Sequence, residues 1–174
     1  MDRAVILTVV GSDRPGLTRA IAEAVYAAGG NWLESHLSRL GGKYVGSVLV
    51  ELPEDRLHEL EAAVRGIDAM GIKIDIIAAA DAEERSGLSL AIEIVGQDRP
   101  GIVREVTSAL AKLDVNIDDF LTRIERSAWS GAPLFRANVQ IALPTGLSTD
   151  EVREALEAIS GEIMVDFLPE PTLS

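Results

Sequence analysis

The feature that most constrains the fold of this 174-residue chain is an internal repeat. The segment VGSDRPGL at 10–17 recurs 85 positions later as VGQDRPGI at 95–102. Further along, VELP at 50–53 matches IALP at 141–144 with an offset of 91, so the second copy carries six extra residues before this point. Because self-similarity of this kind marks one structural unit used twice, the sequence predicts two homologous domains. We place them at 1–80 and 88–169, with a linker at 81–87 and a C-terminal tail at 170–174.

The two copies share one order of predicted elements. Apolar, β-branched runs predict strands, and apolar residues at helical spacing predict amphipathic helices. Ser148 and Glu151 have the spacing of a capping box at the last helix. The order βαββαβ predicts an α+β fold of two ferredoxin-like units, each with its helices on one face of an antiparallel sheet, and we expect the units to pack side by side. The predicted strands are 4–10, 32–40, 43–52, 72–78, 88–95, 116–126, 134–143 and 162–168, and the predicted helices are 15–28, 55–70, 100–113 and 149–159.

Composition argues against several classes of function. The chain has 16 Lys and Arg against 28 Asp and Glu, a formal net charge of −12. That charge opposes direct binding to nucleic acid, because such binders gain affinity by neutralising phosphates. The absence of cysteine excludes disulfides, thiol nucleophiles and thiolate metal sites. No apolar run approaches the roughly 18 residues of a membrane span and the N-terminus lacks signal-peptide features, so we expect a cytoplasmic protein. We also expect no metal or cofactor, because the chain has no cysteine and its two histidines, His36 and His58, lie in different predicted elements.

The repeated Asp-Arg-Pro-Gly loop lies where the first strand of each copy leads into the first helix. Pro15 and Pro100 suit the first helical position, where the missing N–H costs nothing. The aspartate before them can accept hydrogen bonds from first-turn amides, and the glycine after them lets a ligand approach the backbone. Free amides and the helix dipole favour a small anion such as a carboxylate. Asn31 and Asn116 open the next strand, and we expect their amides beside the loop, where this mixture of donors and acceptors suits an amino acid.

The same motif also has a purely structural interpretation, in which it starts the helix and binds no ligand. The duplication does not decide between the two interpretations, because it copies structural motifs as well as functional ones. The residues by themselves leave both open.

The loop motif also carries a resemblance. Gly-x-Asp-Arg-Pro-Gly entering a helix, with Asn opening the second strand, resembles the ACT domain family of small βαββαβ regulatory modules that bind amino acids. The resemblance covers residues 3–168. The segment NWLES at 31–35, the turn LGG at 40–42 and the hairpin SGAPLF at 130–135 are similar to the glycine cleavage system transcriptional repressor group of tandem ACT proteins.

This resemblance implies a non-enzymatic regulator that senses glycine or a similar amino acid. It would restrain transcription by binding a DNA-binding activator rather than DNA. The sequence leaves open whether two chains pair as a homodimer. Trp32 and Gly30 of the first copy are Ile117 and Val115 in the second, so we expect the two sites to differ. The ligand contacts that the resemblance implies are Gly11, Asp13, Arg14, Gly16 and Asn31 in the first copy and Gly96, Asp98, Arg99, Gly101 and Asn116 in the second.

Two other functions stay open. One is a small phosphohydrolase of the acylphosphatase kind, because Arg14 and Arg99 could each hold a phosphate through paired N–H groups, although the loop lacks a longer run of backbone donors. The other is a protein-interaction module without a ligand, in which Trp129 of the 127–133 insert meets a partner. An aromatic residue at such a hairpin tip either packs on its own sheet or faces a partner, and the sequence favours neither.

Overall fold

The structure, a computed structural model, describes residues 1–81 and 87–169. The chain divides into two compact units, Met1–Ala82 and Glu83–Ser174. Residues 82–86 of the predicted linker and the predicted tail at 170–174 lie outside the described residues. The longest described helix has 12 residues, whereas a bilayer span needs about 20, so no helix in the described ranges could cross a membrane.

The first unit is a four-stranded antiparallel sheet with two helices. Its strands lie in the order β2-β3-β1-β4, so β1 is central and pairs with both β3 and β4. The predicted βαββαβ order is confirmed, although a short 3₁₀ helix at Glu54–Arg56 precedes the second helix, which was predicted to begin at 55. The elements are β1 (Asp2–Ser12), α1 (Leu17–Ala27), β2 (Asn31–Leu40), β3 (Lys43–Pro53), α2 (Leu57–Asp68) and β4 (Ile72–Ala78).

The second unit repeats this architecture with the strand order β6-β7-β5-β8. Its one large departure is the hairpin between β6 and β7, where residues 127–132 replace the two-residue glycine turn of the first unit. The six extra residues of the second copy therefore lengthen this hairpin. The elements are β5 (Leu88–Gln97), α3 (Ile102–Lys112), β6 (Asn116–Arg126), β7 (Pro133–Leu143), α4 (Thr149–Glu157) and β8 (Met164–Leu168).

One face of each sheet is buried beneath its two helices. In β1, Val5, Leu7 and Val9 are at most 1 % exposed, while the residues between them face away from the helices and are only half-buried. Successive strand residues point to opposite faces, which produces this alternation. No polar or charged residue of the described ranges is buried. Any group that binds a ligand within a unit must therefore lie at the surface or at the border of a core.

The first helix of each unit begins later than predicted. Pro15 and Pro100 were expected at the first helical position, but α1 begins at Leu17 and α3 begins at Ile102. Gly16 and Gly101 precede these helices in the left-handed conformation, with φ of 87° and 90°. Only glycine adopts that conformation without steric cost, so it turns the chain into the helix where proline could not.

The predicted capping box at α4 is confirmed. The Ser148 hydroxyl accepts a hydrogen bond from the Glu151 N–H at 3.2 Å, and the Glu151 carboxylate accepts one from the Ser148 N–H at 2.8 Å. The backbone N–H and then the hydroxyl of Ser148 lower the pKa of Glu151 below its ordinary value of 4.5. Because the pKa is lowered in the folded state, the charge of Glu151 stabilises the fold above pH 4.5, and this contribution is lost as the pH falls through the folded pKa.

We predict that Ser148→Ala lowers the free energy of unfolding at neutral pH by about 1 kcal/mol, the usual cost of losing a serine cap. Urea unfolding measures this, and the difference from the unmodified protein should narrow in acid because protonated Glu151 no longer supports the box. Ser108→Ala is the matched control: this exposed serine lies inside α3, where alanine favours the helix. Equal losses in both variants would contradict the assignment of the cap.

Candidate functional site

The two candidate loops are Asp13–Gly16, called here the first loop, and Asp98–Gly101, called the second loop. Each joins the central strand of its sheet to the helix that follows. No side chain caps either helix with a hydrogen bond. The prediction that Asp13 and Asp98 accept from first-turn amides is therefore wrong, and these helices start with backbone donors that no side chain satisfies.

The glycines at the ends of the central strands have a packing role. A Cβ on Gly11 would lie 2.7 Å from the Cα of Ile72, at the start of β4, and a Cβ on Gly96 would lie 3.1 Å from the Cγ1 of Ile163. Contacts below 3.0 Å do not occur for real Cβ atoms, so Gly11 is required by the close approach of β4 whether or not a ligand binds. Nothing lies within 4 Å of a Cβ built on Gly16 or Gly101, where the positive φ alone explains the glycine.

In the first loop the aspartate is paired and the arginine is free. The Asp13 carboxylate forms an ion pair with Arg39 of β2 at 3.3 Å. Arg14 is exposed, and its guanidinium has no ion pair or hydrogen bond within the described residues. The first loop thus presents one uncommitted cation.

In the second loop the pairing is reversed. Arg99 forms a hydrogen-bonded ion pair with Glu105 of α3, and this contact raises the pKa of Arg99 above its already high ordinary value. The Asp98 carboxylate has no partner in the part of the chain that the structure describes, while the Asp98 N–H donates to the carbonyl of Pro133 at 3.2 Å. The second loop thus presents one uncommitted anion.

Two substitutions between the copies explain the reversal. Glu105 corresponds to Ala20 in the first copy, so Arg14 has no carboxylate one turn into its helix. Arg39 corresponds to Ile124: Arg39 lies opposite Tyr44 in the first sheet, and Ile124 lies opposite Phe135 in the second. Asp98 therefore has no cation at the position from which Arg39 pairs with Asp13. The two loops share a sequence motif but differ in which charged side chain has no partner: the cation in the first loop and the anion in the second.

The surroundings of the loops differ in polarity as well. Beside the first loop, the hydroxyls of Thr18 and Tyr44 are hydrogen-bonded to each other. The equivalent residues beside the second loop are Val103 and Phe135, which line a groove together with Asp98, Arg99 and Ile124. At these two positions the first loop is edged by hydroxyl groups and the second by apolar side chains, while Thr122 and Arg123 also line the groove beside the second loop.

The two asparagines do not lie beside the loops. Asn31 lies opposite Glu51 of β3, and Glu51 lies opposite Ala4 at the start of β1. In the second unit Asn116 lies opposite Ala142, which lies opposite Ser89 at the start of β5. Gly11 lies seven positions beyond Ala4, which corresponds to about 23 Å along a strand. The expectation that these amides border the loops is wrong, since a single amino acid cannot reach both ends of one sheet. Asn116 instead donates to Asp118 at 2.8 Å.

Trp129 stands at the tip of the β6–β7 hairpin and is 99 % exposed. Of the two placements that the sequence allowed, packing on its own sheet is excluded. The side chain faces solvent.

Sequence reasoning missed four residues that shape the loops. Arg39 and Tyr44 reach the first loop from β2 and β3, Thr18 reaches it from α1, and Glu105 reaches the second loop from α3. A comparison of the copies at the offsets of 85 and 91 would have singled them out, because their counterparts are Ile124, Phe135, Val103 and Ala20.

Comparison with known proteins gives the family. Two ACT domain family models match the chain, one over residues 3–76 and the other over residues 90–161. Together they span well over half of the chain, so the protein belongs to the ACT domain family and contains two ACT domains in tandem. ACT domains are regulatory ligand-binding modules. No curated protein matches the chain by sequence.

Two solved structures are similar over nearly the whole length. An unknown protein from Galdieria sulphuraria is 28 % identical, with a TM-score of 0.76, and the match covers 96 % of this chain and 98 % of that one. A candidate glycine cleavage system transcriptional repressor is 14 % identical, with a TM-score of 0.71, and the match covers 98 % of this chain and 99 % of that one. At 14 % identity the second likeness establishes the fold alone.

We predict that Gly16→Ala destabilises the first unit by about 1 kcal/mol, because a Cβ strains the left-handed conformation. Gly16→Asn should cost less, because asparagine enters this conformation more readily than other residues. Thermal or urea unfolding measures both. Gly11→Ala should cost more than either, since its Cβ meets the backbone of β4. Equal costs for Ala and Asn at position 16 would show that φ is not what selects glycine there.

Proposed function

We propose that this protein is a non-enzymatic regulator that responds to a small amino acid and acts through contacts with another protein. The coarse part of this function follows from the family, since ACT domains are regulatory modules that bind ligands. The finer part concerns which loop binds, what it binds and which partner responds.

The observation that carries the ligand proposal is the unpaired guanidinium of Arg14 at the uncapped start of α1. A guanidinium can hold a carboxylate through two parallel N–H donors, and the free amides of a first helical turn favour the same charge. Asp13 pairs with Arg39 through Oδ2, and its carboxylate retains lone pairs that can accept from an ammonium group. One loop thus offers complementary groups to both ends of an amino acid.

Glycine is the ligand that we propose, with serine as the next choice. The first loop is bordered by the Thr18 and Tyr44 hydroxyls rather than by an apolar pocket for a large side chain. The second loop is less suited to a carboxylate, because Glu105 occupies Arg99 and Asp98 leaves a negative charge open. We therefore assign Asp13, Arg14 and Gly16 of the first loop to the binding site, together with Gly11 at the end of β1. The diverged counterpart consists of Asp98, Arg99 and Gly101 of the second loop, together with Gly96 at the end of β5. Asn31 and Asn116 are not assigned to either loop.

The regulated process that we propose is transcription of the glycine cleavage system, with a cytoplasmic DNA-binding activator as the partner. The resemblance of residues 31–35, 40–42 and 130–135 supports this proposal, as does the similarity in fold to a candidate repressor of that system. The net charge of −12 is consistent with a protein that binds an activator and not the DNA itself.

We predict that glycine raises the melting temperature of this protein in a thermal-shift panel that also contains serine, the other amino acids and acetyl phosphate. A ligand that binds only the folded state stabilises it by about 2.7 kcal/mol at a hundredfold excess over Kd. Arg14→Ala should abolish the shift, and Ala20→Glu should weaken it by giving Arg14 the carboxylate that Arg99 has.

The matched control is Arg19→Ala, which removes an equal charge from an arginine paired with Glu23 on the surface of α1. It should leave the shift unchanged. A shift that survives Arg14→Ala but not Asp98→Ala would move the site to the second loop. No shift with any amino acid would contradict the proposal and favour the ligand-free interaction module, for which the full exposure of Trp129 is the supporting observation. A shift with acetyl phosphate alone, accompanied by its hydrolysis, would instead support a phosphohydrolase.

A further inference from the structure

The two helices of the second unit leave a groove of about 800 Å³ between them, called here the α3–α4 groove. It extends from Gly101, which precedes α3, to Leu113, which follows it, a length of about 18 Å along the helix axis. Its floor is aliphatic, and the small side chains of its alanines leave room for another molecule to approach both helices. The floor residues are Ala109, Leu113, Ala155, Ala158 and Ile159.

The equivalent floor of the first unit is buried. Three positions that are half-buried in the second unit are at most 6 % exposed in the first. One cause is the length of the second helix of each unit. Because α2 has 12 residues and α4 has 9, Ile159 lies beyond the end of α4, whereas its counterpart Ile67 lies inside α2. The three pairs, first unit before second, are Ala24 and Ala109, Ala28 and Leu113, and Ile67 and Ile159.

Two cations without a carboxylate partner stand on the rim of the α3–α4 groove. Arg104 and Lys112 both lie on α3 and line the groove, and neither side chain has an ion pair within the described residues. In the first unit the counterpart of Arg104 is Arg19, which pairs with Glu23 at 3.5 Å, and Ala27 replaces Lys112. The two unpaired rim cations therefore belong to the second unit.

The charges of the groove select an acidic ligand. Among the described residues that line it, the single carboxylate is that of Glu105, which is already paired with Arg99. Arg104 and Lys112 are eight positions apart, or about 12 Å along α3. A helix lying along the groove would reach both cations with carboxylates two turns apart, because two helical turns rise by about 11 Å.

We propose that the α3–α4 groove binds an acidic amphipathic helix of a partner protein. The apolar stripe of that helix packs on the alanine-rich floor, as in other helix-in-groove interfaces, and its carboxylates pair with Arg104 and Lys112. The net charge of −12 does not oppose this contact, because exposed charges farther than about 8 Å are largely screened at physiological ionic strength. The two rim cations lie within contact distance of the bound helix.

This inference rests on the proposed function only in naming the surface through which another protein is contacted. The groove lies in the second unit and does not include Arg14, so the two sites can be tested separately.

The test titrates the full chain into a fluorescein-labelled peptide of about 18 residues, a length at which an isolated helix can form. The peptide carries glutamates two turns apart, with leucine and alanine between them on the same face. Fluorescence anisotropy should show saturable binding in the micromolar range, and the ¹⁵N amide signals of Ser108, Ala109 and Ala155 should shift. A peptide with glutamine in place of these glutamates should bind about tenfold more weakly, because it loses two ion pairs.

Variants of the chain locate the contact. Arg104→Ala and Lys112→Ala should each weaken binding about threefold, the scale of one exposed ion pair. Arg19→Ala is the matched control, since it removes the same charge from the equivalent position of α1. Ala158→Trp should abolish binding by filling the groove. Gly66→Trp places the same side chain at the equivalent position of α2, where a Cβ has nothing within 4 Å, and should leave binding unchanged.

The proposal is overturned if the acidic peptide does not bind. It is equally overturned by binding that survives Ala158→Trp or the loss of both rim cations. A chain that is dimeric in sedimentation velocity, and whose groove signals shift on dilution without binding the peptide, would assign the groove to a second copy and also overturn it. The thermal shift with glycine separates these failures from a failure of the amino-acid site, because it needs no peptide and should persist in Ala158→Trp.

Discussion

The register of the central strand decides which side chains of each unit can act together. In the first unit Gly11 lies opposite Tyr44, which in turn lies opposite Arg39. The loop that leaves β1 therefore emerges next to a hydroxyl and a guanidinium that are distant in sequence. In the second unit the same positions are Gly96, Phe135 and Ile124, so an identical motif emerges next to two apolar side chains.

That register is held by aliphatic packing on one face of each sheet, beneath the two helices. A slip of one residue would turn Val5, Leu7 and Val9 to the other face, so the buried pattern fixes the pairing. At the end of the strand the packing is so close that Gly11 has no room for a Cβ against Ile72. The two motif glycines of the first unit therefore have different causes. Gly11 is required by the lack of space beside β4, and Gly16 is required by the left-handed turn into the helix.

Periodicity was sufficient to predict the fold. Both βαββαβ units and the capping box at Ser148 follow from local patterns, and the bounds of most strands differ by only a few residues. The helix starts were wrong because the preference of proline for the first helical position was outweighed by the left-handed glycine after it.

The position of Asn31 was wrong for a topological reason. The 11 residues of α1 carry the chain about 16 Å back along the sheet, so β2 starts at the end remote from the loop. The Asp13–Arg39 pair joins two elements that are distant in sequence, and the Arg99–Glu105 pair, although only six residues apart, joins a loop to the helix that follows it and lies outside the repeated motif. They are what makes two copies of one motif chemically different, and so they are what the sequence motif alone could not supply.

The most direct test of this account is an NMR titration of the ¹⁵N-labelled chain with glycine. If the first loop is the binding loop, the amide signals of Gly16, Leu17 and Thr18 shift and saturate, while those of Gly101, Ile102 and Val103 change little. Shifts confined to the second loop, or no shift in either, would contradict the claim that the unpaired charged side chain of each loop decides what it binds.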